Sequence, residues 1–311
     1  MIKKFIIKLL IFLVLLCAVN FAFNRYFKQY VIKNQDIFRK DIQFDNYNDT
    51  LKYLLMGDSH IQNGINPLIF RKSFNFSSAN ENYIQTYYKL KAIIEKKNRI
   101  PEYIFLPVDL SSFSSFRTDR FKYDTYWVQY IDYFELAKIK KDRIYIDKWF
   151  IGNYISYIEG YEYAYRFLLG EKSELILGYK PRKRDRSIFV DRIRNARARV
   201  NLYFKDYTYF DQDLVLFFKR ILGLCSQNNI KVILIKMPVS KIYYNLAVSI
   251  VDKDSLNNNI NKIICKYPGL VRTLDYQKLF FDNPEYFDNP DHLNDKGATD
   301  LSRILNDRLN K

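Results

Sequence analysis

Residues 52 to 60 read Lys52-Tyr53-Leu54-Leu55-Met56-Gly57-Asp58-Ser59-His60. An unbroken apolar run closed by glycine predicts a strand buried on both faces, which needs helices above and below it. The neighbouring sequence supplies them. Asn66-Pro67-Leu68-Ile69-Phe70 predicts a short helix with proline in its first turn. Phe74-Asn75-Phe76 predicts a second strand and Tyr103-Ile104-Phe105-Leu106, after Pro101, a third. Between them, Ile84, Tyr87, Tyr88, Leu90, Ile93 and Ile94 recur at helical spacing within 81–97. The alternation returns as a helix over 211–227, a strand over 232–235, a helix over 255–265, a strand over 270–274 and a closing helix, Asp295–Leu309. Strands alternating with helices predict an α/β fold, a three-layer parallel sheet with helices on both faces. Ligands of such sheets bind at the carboxyl ends of the strands. The Gly57-Asp58-Ser59 turn and the loop after Leu274 can therefore meet there.

Towards the N-terminus, Phe5 to Phe23 is apolar except for Lys8 and Asn20, long enough to span a bilayer as a helix. Lys3 and Lys4 precede it, and no small-x-small cleavage pattern follows, which favours an uncleaved signal anchor over a removed signal peptide. Lys3 and Lys4 place the N-terminus inside, with Arg25 and Lys28 on the other flank opposing them. Residues 1–24 are thus expected to be a transmembrane anchor, 25–50 a polar tether and 51–311 the folded domain. Residues 111–210 break the alternation and are aromatic and charged, including Trp127, Tyr130, Trp149 and Tyr154. They are expected to form a mostly helical insertion that caps the site.

The net charge of +16 points to an anionic partner. Nucleic acid is the weakest such partner, because an exported domain rarely meets it. From Lys180 to Lys205, ten Lys or Arg stand against Asp185 and Asp191. That run is either a solvated surface or a dock for an anionic glycan or phospholipid headgroups. Nine glycines are few, and neither a Walker A pattern nor GxGxxG occurs. Cys17, Cys225 and Cys265 form no CxxC and there is no histidine-rich cluster, so neither a metal site nor another cofactor is expected. Cys225 and Cys265 lie in helical apolar patterns, which suits buried thiols, or a disulfide in an exported protein.

Only two histidines occur, His60 and His292. A serine hydroxyl needs a base in hydrogen-bond reach and donors aimed at the developing oxyanion. Ser59, on a strand-to-helix turn, offers its own N–H for the second task, although a serine there can also simply cap the helix. His292 follows Phe287-Asp288-Asn289-Pro290-Asp291, and a carboxylate beside it can fix its tautomer and stabilise its charged form. The pattern is not the nucleophile elbow GxSxG, because Ile61 stands at the second glycine.

Leu55-Met56-Gly57-Asp58-Ser59-His60 and the Asp288-to-Asn294 run together resemble the first and last blocks of the SGNH (GDSL-type) hydrolase superfamily. Within it, the membrane-anchored layout and the Asp291-His292-Leu293-Asn294 ending are similar to proteins of bacterial envelope polysaccharide and teichoic-acid acylation. The resemblance implies a flavodoxin-like sheet. It also implies a serine acyl esterase or O-acyltransferase, acetyl being the group moved, on the outer side of the cytoplasmic membrane. A cell-envelope polysaccharide and a membrane-bound acyl-donor protein are the partners implied. In this reading Ser59 is the nucleophile, His292 the base, and Asp288 or Asp291 its orienting acid. The Ser59 N–H and Asn80 bind the oxyanion, while His60 and Asn63 line the substrate pocket. The sequence departs from the family in three places. Asn289 stands at the usual acid position. Ser77-Ser78-Ala79-Asn80 lacks the second-block glycine. Asp109 follows the third strand where asparagine is usual, and an ionised Asp109 would repel an oxyanion. These departures motivate the alternative of an inactive SGNH-like protein that binds a polymer or assembles with envelope enzymes.

Overall fold

The structure, a computed structural model, describes residues 1–139, 144–170, 172–182 and 192–310. In chain order its elements are α1 (Ile2–Tyr30), α2 (Asp36–Asp45), β1 (Tyr53–Leu55), α3 (Ser59–Gly64), β2 (Ser73–Asn75), α4 (Tyr83–Glu95), β3 (Tyr103–Pro107), α5 (Phe116–Asp119), α6 (Tyr133–Ile139), α7 (Ile144–Tyr154), α8 (Tyr161–Leu168), α9 (Arg192–Phe204), α10 (Gln212–Gln227), β4 (Lys231–Lys236), α11 (Lys241–Val248), α12 (Lys253–Ile264), β5 (Val271–Asp275), β6 (Phe287–Asn289), β7 (His292–Leu293) and α13 (Asp295–Leu309). Two compact units emerge, one from residues 1–39 and 122–173, the other from 40–121 and 174–311.

The second unit holds a five-stranded, all-parallel sheet in the order β2-β1-β3-β4-β5. Strand order reverses between β1 and β3, the place where doubly wound sheets open a crevice at their carboxyl ends. Side chains alternate between the two faces. Tyr53, Leu55, Phe105, Ile233 and Ile235 form one core with Ile61 of α3 and with Leu301 and Leu305 of α13. Leu54, Ile104, Leu106, Val232 and Leu234 are equally buried and, by alternation, face the other way, where rings of α4 and α10 such as Tyr83 and Phe218 meet. Helix ends are satisfied locally. Asn82 and Gln85 form a capping box on α4, and Asn294 accepts from Gly297 N–H to start α13.

Gly57 closes β1 at φ +123°, where an added Cβ would lie 2.4 Å from Pro107 Cδ. Both the backbone angle and the space require glycine. Gly57→Ala is therefore expected to destabilise the unit by about 2–4 kcal/mol, read from denaturant unfolding. An unchanged midpoint would show that the turn can relax.

The first unit is built on α1, whose N-terminal part is long and apolar enough to cross a membrane, with that stretch unburied. Phe27, Val31 and Ile32 form a small core with Phe38, Tyr157, Tyr163 and Ala164.

Two boundaries differ from the sequence reading. Residues 25–50 are not an open tether: α1 continues to Tyr30, and α2 buries Lys40, Asp41 and Phe44. Phe44 stacks on Phe76 with centroids 4.5 Å apart, which ties this stretch to the sheet unit. The stretch 111–210 carries α5 to α9 and is not one body. Residues 122–173 join the α1 unit, while 111–121 and 174–210 join the sheet unit. Residues 183–191 of the basic run lie outside the described residues. All three thiols are free, Cys225 buried and Cys17 and Cys265 exposed.

Candidate active site

Ser59 is the first residue of α3. Asp58 caps that helix by accepting from the His60 N–H at 3.0 Å. The other end of this short helix is fixed from β2, where the buried Asn75 amide donates to the Ile61 and Ile65 carbonyls. The N–H of Ser59 has no intrahelical carbonyl by position. Its hydroxyl lies 2.8 Å from Nε2 of His292, on β7 at the opposite end of the chain. Nδ1 of His292 faces two acceptors, Asn289 Oδ1 at 3.0 Å and Asp291 Oδ1 at 3.1 Å. Two acceptors on Nδ1 require the proton to sit there, which leaves the Nε2 lone pair directed at Ser59.

Behind this pair lies a buried charge network. Asp291 is 0% exposed. It accepts from Arg199 Nε at 3.1 Å and from the Tyr203 hydroxyl at 3.0 Å, both on α9. The His60 ring stacks on His292, centroids 4.5 Å apart and ring planes nearly parallel at 7°. Its Nδ1 is 3.1 Å from Asp58 and its Nε2 is 3.7 Å from Asp291. Arg117 approaches Asp58 at 2.5 Å. Burial opposes charging of His60, but Asp58 and then Asp291 outweigh it and raise the imidazole to about 10. Burial lowers His292 to about 4, against the pull of Asp291 and with the help of His60. Burial also works against ionisation of Asp291, yet His292, His60 and Arg199 hold it well below the usual carboxylate range. The network thus presents a charged His60 beside a neutral His292 at ordinary pH.

The loop after β2 passes over two lysines with no exposed side chain. Lys89 Nζ donates to the Phe76 carbonyl at 2.9 Å and pairs with Glu81 at 2.5 Å. Lys40 donates to the Ser77 carbonyl. The N–H of Ser78 is bonded to the Gly57 carbonyl, and that of Ser77 to Asn75 Oδ1. Asp109, just beyond β3, accepts from the Met237 N–H at 2.6 Å through Oδ1, while its buried Oδ2 has no partner. Burial, opposed by His60, pushes this carboxyl up to about 7.

Of the residues singled out by sequence, Ser59, His292 and Asp291 come together. Asp288 does not join them. It sits 2.7 Å from Arg182, because neighbours on strand β6 point to opposite sides and Asn289 is the one paired with His292. His60 and Asn63 were expected in a substrate pocket, but both are buried and engaged internally, Asn63 donating to the Ser59 carbonyl at 2.9 Å. Asn80 lies on an exposed turn at φ 61°. Arg199, Tyr203 and Arg117 were not anticipated, since their only sequence signal was membership of a charged, aromatic stretch. Next to Asn289 opens a cavity of about 240 Å³ walled by Phe281, Pro284, Phe287 and Pro290, with Lys241 and Arg192 also lining it. His60, Asp291 and His292 place three possible metal donors within 4.8 Å of one another. Their fit to a cation is poor, because Nε2 of His292 is bonded to Ser59 and the Asp291 carboxylate already faces Arg199 and His60.

No family model matches the chain, and no curated protein matches it. Among solved structures it is similar to a provisionally named platelet activating factor from Streptococcus pneumonia, at 13% identity and a TM-score of 0.42, covering 92% of this chain and 97% of that one. A likeness of that size carries no functional argument.

Proposed function

We propose that the chain is a membrane-anchored serine acyl-transfer enzyme of SGNH type, an acyl esterase or O-acyltransferase acting on cell-surface polysaccharide, with acetyl as the group moved. The observation that carries this reading is the Ser59 hydroxyl 2.8 Å from an imidazole whose far nitrogen is held by two acceptors. Ser59 Oγ attacks the ester carbonyl as Nε2 of His292 takes its proton, and His292 returns that proton to the departing alcohol. Water or a sugar hydroxyl, deprotonated by the same nitrogen, then releases the acyl group from Ser59. Asp291 and Asn289 stabilise the imidazolium, replacing the single acid expected of the family. The cavity beside Asn289 suits an apolar portion of the substrate, with Lys241 for an anionic one.

The oxyanion site in this reading combines the Ser59 N–H with a protonated Asp109, whose unpartnered Oδ2 becomes a donor once it carries a proton. The sign of the pH dependence follows. His292 must be unprotonated, so activity rises through about pH 4. Asp109 must be protonated, so activity falls through about pH 7. Asp109→Asn, a donor at every pH, is expected to keep activity and extend the alkaline side of the profile. An alkaline limb unmoved by that change would remove Asp109 from the mechanism.

Fluorophosphonate labelling of the full chain in detergent, with the modified peptide identified by mass spectrometry, tests the whole reading. Modification of Ser59 is expected. A folded chain that resists the probe would favour the polymer-binding alternative, which draws its support from the committed N–H groups of Ser77 and Ser78.

A further inference from the structure

We infer that the turn between α7 and α8, together with α8 itself, lies in the lipid headgroup layer and grips the membrane surface beside α1. This segment meets α1 at a defined level. The apolar stretch from Phe5 to Phe23 is about 28 Å long at 1.5 Å per residue, close to the thickness of the hydrocarbon core. Asn20 and Phe23 therefore stand at its outer boundary. The Tyr157 hydroxyl donates to Asn20 Oδ1 at 2.6 Å, and the Asn20 amide donates to the Tyr154 carbonyl at 3.3 Å. The Tyr157 and Phe23 rings meet at 4.9 Å. One turn later Asn24 accepts from both the N–H and the hydroxyl of Ser156, and Lys28 donates to the Asn153 carbonyl at 2.9 Å. A segment bonded to Asn20 cannot stand clear of a bilayer that α1 crosses.

The side chains of this segment are arranged for that setting. In α8, Tyr163 and Ala164 turn inward onto the Phe27–Ile32 core. Tyr161 is 69% exposed, Tyr165 64% and Leu168 81%. Phe150, Tyr154 and Ile158, leading into α8, are about half exposed. A helix facing only water would turn mainly polar residues outward, whereas this one presents Tyr161, Tyr165 and Leu168 beside Glu162 and Arg166, the mixture of rings and charges that suits a headgroup layer. Contiguous exposed apolar surface marks a protein or membrane contact. Its continuity with the bare apolar face of α1 selects lipid. Tyrosine rings suit the headgroup layer, where one end stays dry and the other wet.

The inference rests on α1 spanning the bilayer and not on the acyl-transfer reading. Nitroxide labels at single cysteines test it in the full chain, reconstituted in phosphatidylglycerol–phosphatidylcholine nanodiscs. Cys17→Ser and Cys265→Ser remove the exposed thiols, and the buried Cys225 stays unlabelled. Labels replacing Tyr161 and Leu168 are compared with one in the span, at Phe12, and one at the exposed Ile250 of the sheet unit. The result expected is a several-fold preference for collision with oxygen over a water-soluble nickel chelate at 161 and 168, as at 12 and unlike 250. Labels at 161 and 168 that behave like 250, with 12 in lipid, would overturn the inference. A water-exposed label at 12 would overturn it together with the spanning role of α1, and fluorophosphonate labelling of Ser59 would be untouched by either result.

Discussion

Ser59→Ala is expected to lower turnover of a small acetyl ester by a factor on the order of 10³ to 10⁶ while leaving the fold intact. The size follows from the hydroxyl's place at 2.8 Å from the imidazole nitrogen that takes its proton in the proposed reaction. The intact fold follows from Asp58, not Ser59, being the residue that caps α3. Alanine is also a good helix former at that position, so stability should move by less than about 0.5 kcal/mol. His292→Ala should fall to the same floor, and the double variant should fall no further, because the two groups act as one unit. Retention of turnover in either single variant sinks the dyad.

The second large effect is on folding as well as chemistry. Asp291→Ala removes the buried carboxylate that faces Arg199, Tyr203, His292 and His60. Arg199 then loses its buried counter-charge while His60 keeps only Asp58, a loss of about 3–5 kcal/mol for a broken buried pair. The base also loses the stronger of its two Nδ1 acceptors, which costs turnover by roughly 10⁴ where a triad acid is lost. Asp288→Ala is the control. Its carboxylate meets the partly exposed Arg182, so stability should change by no more than about 1 kcal/mol, with the turnover number retained. Thermal and denaturant unfolding beside steady-state kinetics check both. If Asp288→Ala proves the more damaging of the two, the assignment of the acid is wrong.

Why Asp291 and not Asp288 was not legible in sequence has a physical origin. Two carboxylates and an asparagine crowd within four residues, and only strand alternation in the short β6–β7 hairpin decides which of them faces the histidine. The sheet, by contrast, was legible, because the apolar runs at 53–55, 103–106 and 232–235 have no other stable use than burial. The hairpin and α11 went unread because a two- or three-residue strand and an eight-residue helix carry too little periodicity. Arg199 and Tyr203 looked like part of a solvated basic run, since nothing local reveals that α9 folds over Asp291. His60 looked like pocket lining because its two carboxylate partners come from opposite ends of the chain. Lys40 and Lys89 were invisible for the opposite reason: lysine is rarely buried, and only their carbonyl and carboxylate partners make it tolerable here.

The hydroxyl and the imidazole are 233 positions apart in the chain. Synthesis runs from the N-terminus, so the nucleophile emerges well before its base, which lies just ahead of α13. A chain caught between these two points carries Ser59 without the imidazole that faces it. Truncation anywhere between Ser59 and His292 leaves the serine without its imidazole. Competence for the proposed acyl transfer thus becomes a report that the chain from Ser59 to His292 has been made and has closed on itself.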